Sequence, residues 1–556
     1  MGSQAAGAAG AQLHAGSGDT FIQSFAAHDT LSAGAGHDTL YGGGGDTLFG
    51  SSSTSASALV ESFSTAGGPG AQLFAGQGSD SLYGGSAADT LWGSSGPNGA
   101  YLGASSADNA LHAGSGKDTL VGLGSGGDTL YGSSDSVTGA ASLSVYNSAG
   151  DNLLYAGQGN DTLQAGHGHD NLSGFGVSVT EYGSTSFTGG AIMLAGSAQS
   201  AVIIGGVGSD SIYGGTGTGP ETLFASAGTG SLVVGGANDD KIYGWDTQSG
   251  AAAGANLYAN NGAHEYVESR GADDTLHAGS GADSLVSGNG NVVLYGSTEA
   301  GSAMLDASAG TGNDALYAGT GSDTLYGGSG NDTLYGSTST LHSASLLGGS
   351  GASDLHAGYA NDTVVGASGN DTLHGSTAAM GAATLEVTGG NNWLYAGFGS
   401  DTLSGGSGND TLIGGGNSSY MVSHSAAGHA ALMEASSASS ATMVGGAGDD
   451  QLYAGYGADT LVAGTGNQLL VYGYEPGVPT NSALFDLSNA NVGNDTVWGG
   501  TNASMIDITS QVSTDVHITS NGTETTVEFT NGSGHDVTQD LHNITDIVFS
   551  DKTIHI

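Results

Sequence analysis

Single apolar residues recur along the chain at a short and nearly constant spacing. Each stands in a three-residue segment, such as Thr-Leu-Tyr, between neighbours that are polar, aromatic or small. A lone apolar residue with outward-pointing neighbours is typical of a short β-strand that buries one side chain. Between residues 276 and 412 these positions are Leu276, Leu285, Leu294, Leu305, Leu316, Leu325, Leu334, Leu346, Leu355, Val364, Leu373, Leu385, Leu394, Leu403 and Leu412.

The spacing of these positions has a longer period. From Leu334 to Leu373, and again from Leu373 to Leu412, the steps are twelve, nine, nine and nine residues. A repeat of this kind predicts a solenoid in which 39 residues make four strands, or two turns. The long step begins with Gly-Ser each time, and we expect an enlarged loop there that lacks an aspartate ligand. Comparable Gly-Ser segments follow Leu48, Leu91, Leu130 and Leu294.

Glycine and aspartate fill the segments between the predicted strands. Residues 318–336 read AGTGSDTLYGGSGNDTLYG, two copies of the nonapeptide G-G-x-G-x-D-x-U-x with one Ala replacing Gly. The glycines permit tight turns, and carboxylate and carbonyl oxygens are the ligands that Ca²⁺ prefers. The aspartates of such copies are predicted to bind multiple Ca²⁺ ions: Asp38, Asp80, Asp118, Asp128, Asp161, Asp170, Asp210, Asp240, Asp283, Asp314, Asp323, Asp332, Asp362, Asp371, Asp401, Asp410, Asp450 and Asp459.

These nonapeptides resemble those of the RTX (repeats-in-toxin) family over nearly the whole chain. The resemblance implies an all-β fold, a right-handed parallel β-roll or β-helix solenoid with calcium in the turns. We expect the roll to span residues 1–498. It is less regular over 174–270, where Ile203, Ile212, Leu223 and Leu232 are predicted to continue the buried register. Residues 499–556 are predicted to form a small β cap that also serves as a type I secretion segment, with a hairpin turn at Asn521-Gly522.

Composition narrows the possible partners. The chain of 556 residues has a formal net charge of −47 and no cysteine. Such a charge excludes binding to nucleic acid or to an anionic membrane surface. No apolar run is long enough to insert into a membrane, and no Sec-type leader is expected at the N-terminus. Repelling carboxylates are expected to keep the chain unfolded until external calcium binds.

No complete catalytic motif is present in the sequence, and we expect that the chain is not an enzyme. The segment from His264 to Glu268 comes nearest to a zinc-protease motif, but it lacks the second histidine. The position after the buried Leu is often aromatic, and stacked turns are expected to align these side chains into exposed stripes. These aromatic residues are Tyr41, Phe74, Tyr83, Trp92, Tyr131, Tyr155, Tyr295, Tyr317, Tyr326, Tyr335, Tyr395 and Tyr453.

Two functional hypotheses follow from this pattern. The first is a secreted, calcium-binding structural protein that associates with itself into a cell-surface layer, filament or extracellular matrix. The alternative is an adhesin or glycan-binding spacer module of an RTX protein, with a cell-surface polysaccharide as partner. In both hypotheses the type I secretion machinery exports the chain, and the protein acts outside the cell.

Overall fold

The strands predicted from the apolar spacing are present throughout the chain. A computed structural model describes residues 2–6, 10–105, 107–135, 139–244, 254–260, 262–271, 273–299, 301–416, 418–435, 440–455, 457–473, 483–500 and 504–556. Among these residues there is no helix. The chain divides into two units, Met1–Asp283 and Ser284–Ile556, and each is built from β-strands.

The first unit contains strands of three to five residues. They are β1 (Gly2–Ala6), β2 (Gln12–His14), β3 (Thr20–Ser24), β4 (Thr30–Ser32), β5 (Asp38–Gly42), β6 (Thr47–Phe49), β7 (Ala58–Ser62), β8 (Gln72–Phe74), β9 (Ser81–Tyr83), β10 (Thr90–Trp92), β11 (Tyr101–Ser105), β12 (Ala110–His112), β13 (Thr119–Leu123), β14 (Thr129–Tyr131), β15 (Ser142–Ser144), β16 (Leu153–Tyr155), β17 (Asn160–Gln164), β18 (Asn171–Ser173), β19 (Ser178–Tyr182), β20 (Ile192–Leu194), β21 (Ser200–Ile204), β22 (Ser211–Tyr213), β23 (Thr222–Phe224), β24 (Leu232–Val234), β25 (Lys241–Tyr243), β26 (Asn256–Tyr258), β27 (Tyr266–Glu268) and β28 (Thr275–His277).

The second unit contains similar strands and, near its C-terminus, two longer ones. They are β29 (Ser284–Val286), β30 (Val293–Tyr295), β31 (Met304–Asp306), β32 (Ala315–Tyr317), β33 (Thr324–Tyr326), β34 (Thr333–Tyr335), β35 (Ser345–Leu347), β36 (Asp354–His356), β37 (Thr363–Gly366), β38 (Thr372–His374), β39 (Thr384–Val387), β40 (Trp393–Tyr395), β41 (Thr402–Ser404), β42 (Thr411–Ile413), β43 (Ser418–Val422), β44 (Leu432–Glu434), β45 (Ser440–Val444), β46 (Gln451–Ala454), β47 (Thr460–Val462), β48 (Leu469–Tyr472), β49 (Leu484–Asp486), β50 (Thr496–Trp498), β51 (Met505–Ile508), β52 (His517–Ser520), β53 (Glu524–Thr530), β54 (Asp536–His542), β55 (Asp546–Phe549) and β56 (Thr553–His555).

Successive strands alternate between two sheets in each unit, as a parallel solenoid requires. Within each unit, odd-numbered strands up to β51 pair in parallel with one another and form sheet A, while even-numbered strands up to β50 form sheet B. In the second unit, for example, β32, β34 and β36 align Leu316 with Leu334 and Leu355. One strand of each sheet therefore makes one turn, and the predicted parallel solenoid is confirmed.

The core of each unit is a ladder of single buried side chains. The fifteen apolar positions predicted between residues 276 and 412 are all fully buried. One prediction in the less regular segment is wrong, because Leu232 is only partly buried while Val233 is fully buried. The pairing of β22 with β24 places Val233, not Leu232, opposite Ile212. The register there is shifted by one residue, and such a shift exchanges the two faces of a strand.

The C-terminal strands change from parallel to antiparallel pairing. Strand β52 forms an antiparallel hairpin with β53, and Gly522 at its turn has a positive φ of 96°, which glycine adopts without strain. Strand β53 also pairs antiparallel with β54. Strands β54 and β55 in turn pair in parallel with β50 and β51, so the hairpin strands extend the two sheets directly.

Candidate metal sites in the loops

The predicted aspartate ligands occupy equivalent places in the turns that contain them. Each of the eighteen lies where a loop enters a strand, and none has more than 2% of its surface exposed. A buried carboxylate is costly unless hydrogen bonds or a cation compensate for its lost hydration. The partners of each carboxylate therefore decide what the loops can bind.

Asp332 illustrates how the fold holds these carboxylates. Its Oδ2 accepts a 2.6 Å hydrogen bond from the N–H of Gly328 in its own loop. Its Oδ1 accepts a 2.8 Å bond from the N–H of Asp314, which has the same position one turn earlier. One side chain therefore closes its own loop and ties it to the neighbouring turn.

The Gly-Ser loops donate hydrogen bonds to aspartates on the edge where the chain passes from sheet B to sheet A. The hydroxyl of Ser94 donates a 2.8 Å hydrogen bond to Oδ1 of Asp118, and Ser51 makes the equivalent bond of 2.6 Å to Asp80. Each serine is buried and belongs to the turn before its aspartate. Gly-Ser loops thus alternate with Asp loops at these places, and each Gly-Ser loop stands where a second acidic loop would otherwise be.

Acidic residues occupy adjacent turns in only part of the chain described. In the second unit Asp314 and Asp332 form such a pair. Burial raises the pKa of Asp314 to about 6, and the negative charge of Asp332 contributes to the increase. A cation between these loops would remove the repulsion and replace the lost hydration.

A longer run of adjacent acids lies in the less regular part of the first unit. Four buried acids stand before sheet A strands or at the end of that unit, namely Glu221, Asp240, Glu265 and Asp283. The N–H of Glu221 donates a 2.9 Å hydrogen bond to Oδ1 of Asp240. Burial raises the pKa of Glu221 to about 7 and that of Glu265 to about 8, with neighbouring acidic charges adding to both shifts. This segment has the densest line of buried carboxylates that the structure describes.

Sequence reasoning missed several acids at the same position. Most of them lack the preceding glycine pattern, but Asp46 and Glu221 have glycines two and four residues before the acid, as Asp128 does. Most are followed by Thr-Leu or Thr-Val, and that tripeptide was the available signal. They are Asp29, Asp46, Asp89, Glu221, Glu265, Asp274 and Asp495. Buried amides take the place in other turns, namely Asn109, Asn152 and Asn392.

The residues present fit a hard divalent cation. Carboxylates and the carbonyl-rich glycine loops provide only oxygen donors, as Ca²⁺ requires. The Oδ2 atom of Asp128 is buried and accepts no hydrogen bond, so at least one carboxylate oxygen is free to act as a ligand. Burial also raises the pKa of Asp459 to about 6 and that of Asp495 to about 8, and a bound cation would favour the ionised form of both.

Comparison with known proteins agrees with this geometry. The family model described as RTX calcium-binding nonapeptide repeat (4 copies) matches residues 14–49, 67–99, 104–138, 146–174, 195–218, 261–297, 308–338, 345–377, 386–420 and 438–467, more than half of the chain. A search of curated proteins gave no match. The described residues include no helix that could cross a membrane. The chain belongs to the family of RTX calcium-binding repeat proteins, whose nonapeptides bind Ca²⁺ at multiple sites.

Proposed function

We propose that this calcium-binding protein is a structural component of an extracellular layer, filament or matrix, in which copies associate through sheet B. The observation that carries the proposal is a column of stacked aromatic rings on the outer surface of that sheet. RTX repeat proteins are typically exported by type I secretion and are typically structural or toxin-like, so the proposal agrees with the family. It assigns no catalytic role to the repeats.

The aromatic column of the first unit follows the third position of successive sheet B strands. Its members are Phe49, Phe74, Trp92, His112, Tyr131 and Tyr155. Neighbouring ring centroids are 4.1–5.9 Å apart, and neighbouring planes are within 16° of parallel. Stacking of this kind holds each ring in one orientation and produces a flat, rigid surface.

The second unit repeats the column with another set of residues. Six rings stack in order, and neighbouring ring centroids are 4.4–5.2 Å apart. These rings belong to Tyr295, Tyr317, Tyr335, His356, His374 and Tyr395. About 39% of the surface of Tyr295 and of Trp92 remains exposed, so solvent still reaches the columns. Rigid aromatic surface of this kind can bind a partner at a small entropic cost.

The equivalent column of sheet A differs in composition, which gives the two faces different properties. Three of the predicted aromatic residues, Tyr41, Tyr83 and Tyr326, lie there. Tyr326 is aligned with Asp306 and Leu347, so its column is mixed. Association through sheet B is therefore favoured over association through sheet A.

Calcium would have two roles in such an assembly. We assign its binding to the eighteen predicted aspartates together with the acids that share their position, and we expect most ions where acids occupy adjacent turns. Ca²⁺ would neutralise part of the net charge of −47, which otherwise opposes both folding and close packing of copies. The unfolded, calcium-free chain would remain suitable for export.

Paired variants test the proposal. In millimolar Ca²⁺, we expect the wild-type protein to form layers or filaments that are visible by electron microscopy and increase light scattering. Replacing Tyr317 and Tyr335 by Ser should reduce assembly, whereas Tyr326→Ser, in the same D-T-L-Y context on sheet A, should not. Monodisperse particles of wild-type protein under these conditions would contradict the proposal.

One groove favours the alternative of a glycan-binding module. It is lined by Trp92, His112 and Tyr131 with small residues beside them, a surface on which a sugar ring could stack. A glycan array with calcium-loaded protein distinguishes the two functions. Binding that is lost in Trp92→Ala, together with an absence of assembly, would support the alternative.

A further inference from the structure

Three metal-binding side chains meet on the outer face of sheet B in the second unit, away from the calcium loops. Asp354 and His356 are two residues apart on β36, so both point outward. His374 is on the neighbouring strand β38, directly opposite His356. The two imidazole rings are stacked, with centroids 4.4 Å apart and planes 3° from parallel.

The three possible ligand atoms lie close together, and the stacked rings need only turn toward each other for both nitrogen lone pairs to reach one ion. The Nε2 atoms of His356 and His374 lie 3.1 and 3.4 Å from Oδ1 of Asp354, and the possible ligand atoms of the three residues are within 4.8 Å of one another. Tetrahedral coordination with bonds of roughly 2.0–2.1 Å separates neighbouring ligands by about 3.3 Å. The two observed nitrogen–oxygen separations are close to that distance.

The shared oxygen needs a cationic partner. Oδ1 of Asp354 is buried and accepts no hydrogen bond, although two ring nitrogens approach it. A buried carboxylate oxygen without a donor is costly. A metal ion between the three atoms would satisfy the oxygen and both nitrogens together.

We propose that Asp354, His356 and His374 form a binding site for a transition-metal ion of the Zn²⁺ class. Two imidazole nitrogens and one carboxylate oxygen suit Zn²⁺, Co²⁺, Ni²⁺ or Cu²⁺, whereas Ca²⁺ takes six to eight oxygen ligands. Three protein ligands leave one coordination position for water or an external group. The site is separate from the calcium loops, but its two histidines belong to the aromatic column of sheet B, so the test below measures metal binding and not assembly.

Another histidine of the chain provides a matched control. His112 has the equivalent place in the aromatic column of the first unit, where it stacks between Trp92 and Tyr131. Two residues before it stands Ala110 instead of an acid. His112 therefore has the same kind of surroundings but only one of the three ligands.

The test is a calorimetric titration of the full-length, tag-free protein with Zn²⁺ in saturating Ca²⁺. Co²⁺ is then used as a spectroscopic probe of tetrahedral coordination. We expect a tight Zn²⁺ site that excess Ca²⁺ does not displace. His374→Gln and Asp354→Asn should each lower the Zn²⁺ affinity by at least about tenfold. Losing a residue that only supports a ligand already costs about that much, and these substitutions remove ligands themselves. His112→Gln should leave it unchanged.

Two results would overturn the assignment. One is Zn²⁺ binding whose affinity and stoichiometry are the same in His374→Gln and Asp354→Asn as in wild type. The other is displacement of Zn²⁺ by Ca²⁺ at comparable concentrations. Because the three side chains are partly exposed, circular dichroism in Ca²⁺ should match wild type, and this measurement identifies any variant that fails to fold.

Discussion

Ser297 and Asp323 lie in successive turns of the second unit, and the Ser297 hydroxyl donates a 2.7 Å hydrogen bond to Oδ1 of Asp323. The same oxygen accepts the N–H of Ala303 at 2.7 Å. A loop that has Ala303 in place of an acid before its strand thus supplies donors to the acid of the next loop. Removing this hydroxyl leaves a buried, charged acceptor with one partner fewer, at a cost of about 1–3 kcal/mol.

We therefore expect Ser297→Ala to lower the thermal midpoint of the calcium-loaded protein, and to increase amide exchange first in the loop around Asp323. Ser302→Ala, at an exposed position of the same loop, is the control and should have little effect. Equal behaviour of the two variants would mean that the hydrogen bond contributes little. Hydrogen exchange is the preferred measurement because a long repeat array need not unfold in one step.

The glycine before that serine is required for a different reason. A Cβ at Gly296 would lie 2.3 Å from Oδ2 of Asp323, closer than atoms can approach. Gly296→Ala should therefore displace the carboxylate and weaken folding at a given calcium concentration by more than Ser297→Ala does. At Gly389 the nearest atom to an added Cβ is 4.0 Å away, so Gly389→Ala should be tolerated. Calcium titrations monitored by circular dichroism compare Gly296→Ala with Gly389→Ala.

Much of the fold could be predicted because a single apolar residue recurs mostly every nine residues, and each one marks a strand. The exception at Val233 arose where a loop of irregular length moved the register by one position. The acids at Asp29 and Asp495 were missed because the prediction required the glycine pattern, although only the position before the strand is fixed. The contact between Ser297 and Asp323 depends on how loops of unequal length stack, and local sequence does not contain that information.

A buried acid in the first unit interrupts the apolar ladder. Glu181 is fully buried on β19 and is aligned with Leu163 and Ile203, which are core positions. Burial, followed by the charge of Glu221, raises the pKa of Glu181 well above its ordinary value. Glu181→Leu should restore the apolar ladder and stabilise the first unit at pH 8 by about 2 kcal/mol or more, since burial of a leucine side chain alone is worth that much.

The control for this substitution is Glu386→Leu, at an exposed outward position, which should change stability little. Thermal melts in constant Ca²⁺ provide the measurement. A loss of stability in Glu181→Leu would show instead that the carboxylate has a structural partner, and would contradict the prediction.

The calcium-free chain should be more stable in mild acid than at pH 8. Burial raises the pKa of Glu265 and of Asp495 to about 8 and that of Glu221 to about 7, whereas ordinary values are about 4. The folded state therefore holds more protons than the unfolded chain between about pH 4 and 8. Stability from these groups is present at low pH and is lost as the pH rises through this window.

Metal-free protein, prepared by dialysis over a chelating resin, should accordingly gain β-structure by circular dichroism when the pH is lowered from 8 to 5. Light scattering must be recorded as well, because the isoelectric point is about 4.1. Calcium-loaded protein should show the opposite trend, since acid protonates the ligands and releases the ion. A metal-free chain that loses β-structure on acidification would contradict the assignment of raised pKa values.

Calcium binding itself should depend more on acids in adjacent turns than on acids supported by serine. Asp332 lies beside Asp314 of the adjacent turn, whereas Asp323 lies beside a loop without an acid at that position and accepts hydrogen bonds from Ser297 and Ala303. Asp332→Asn should therefore raise the calcium midpoint for folding of the second unit more than Asp323→Asn does. Both substitutions remove one charge at equally buried positions, so general electrostatic effects cancel in the comparison. Equal shifts would indicate that calcium loads both kinds of loop alike, and a larger shift for Asp323→Asn would reverse the assignment.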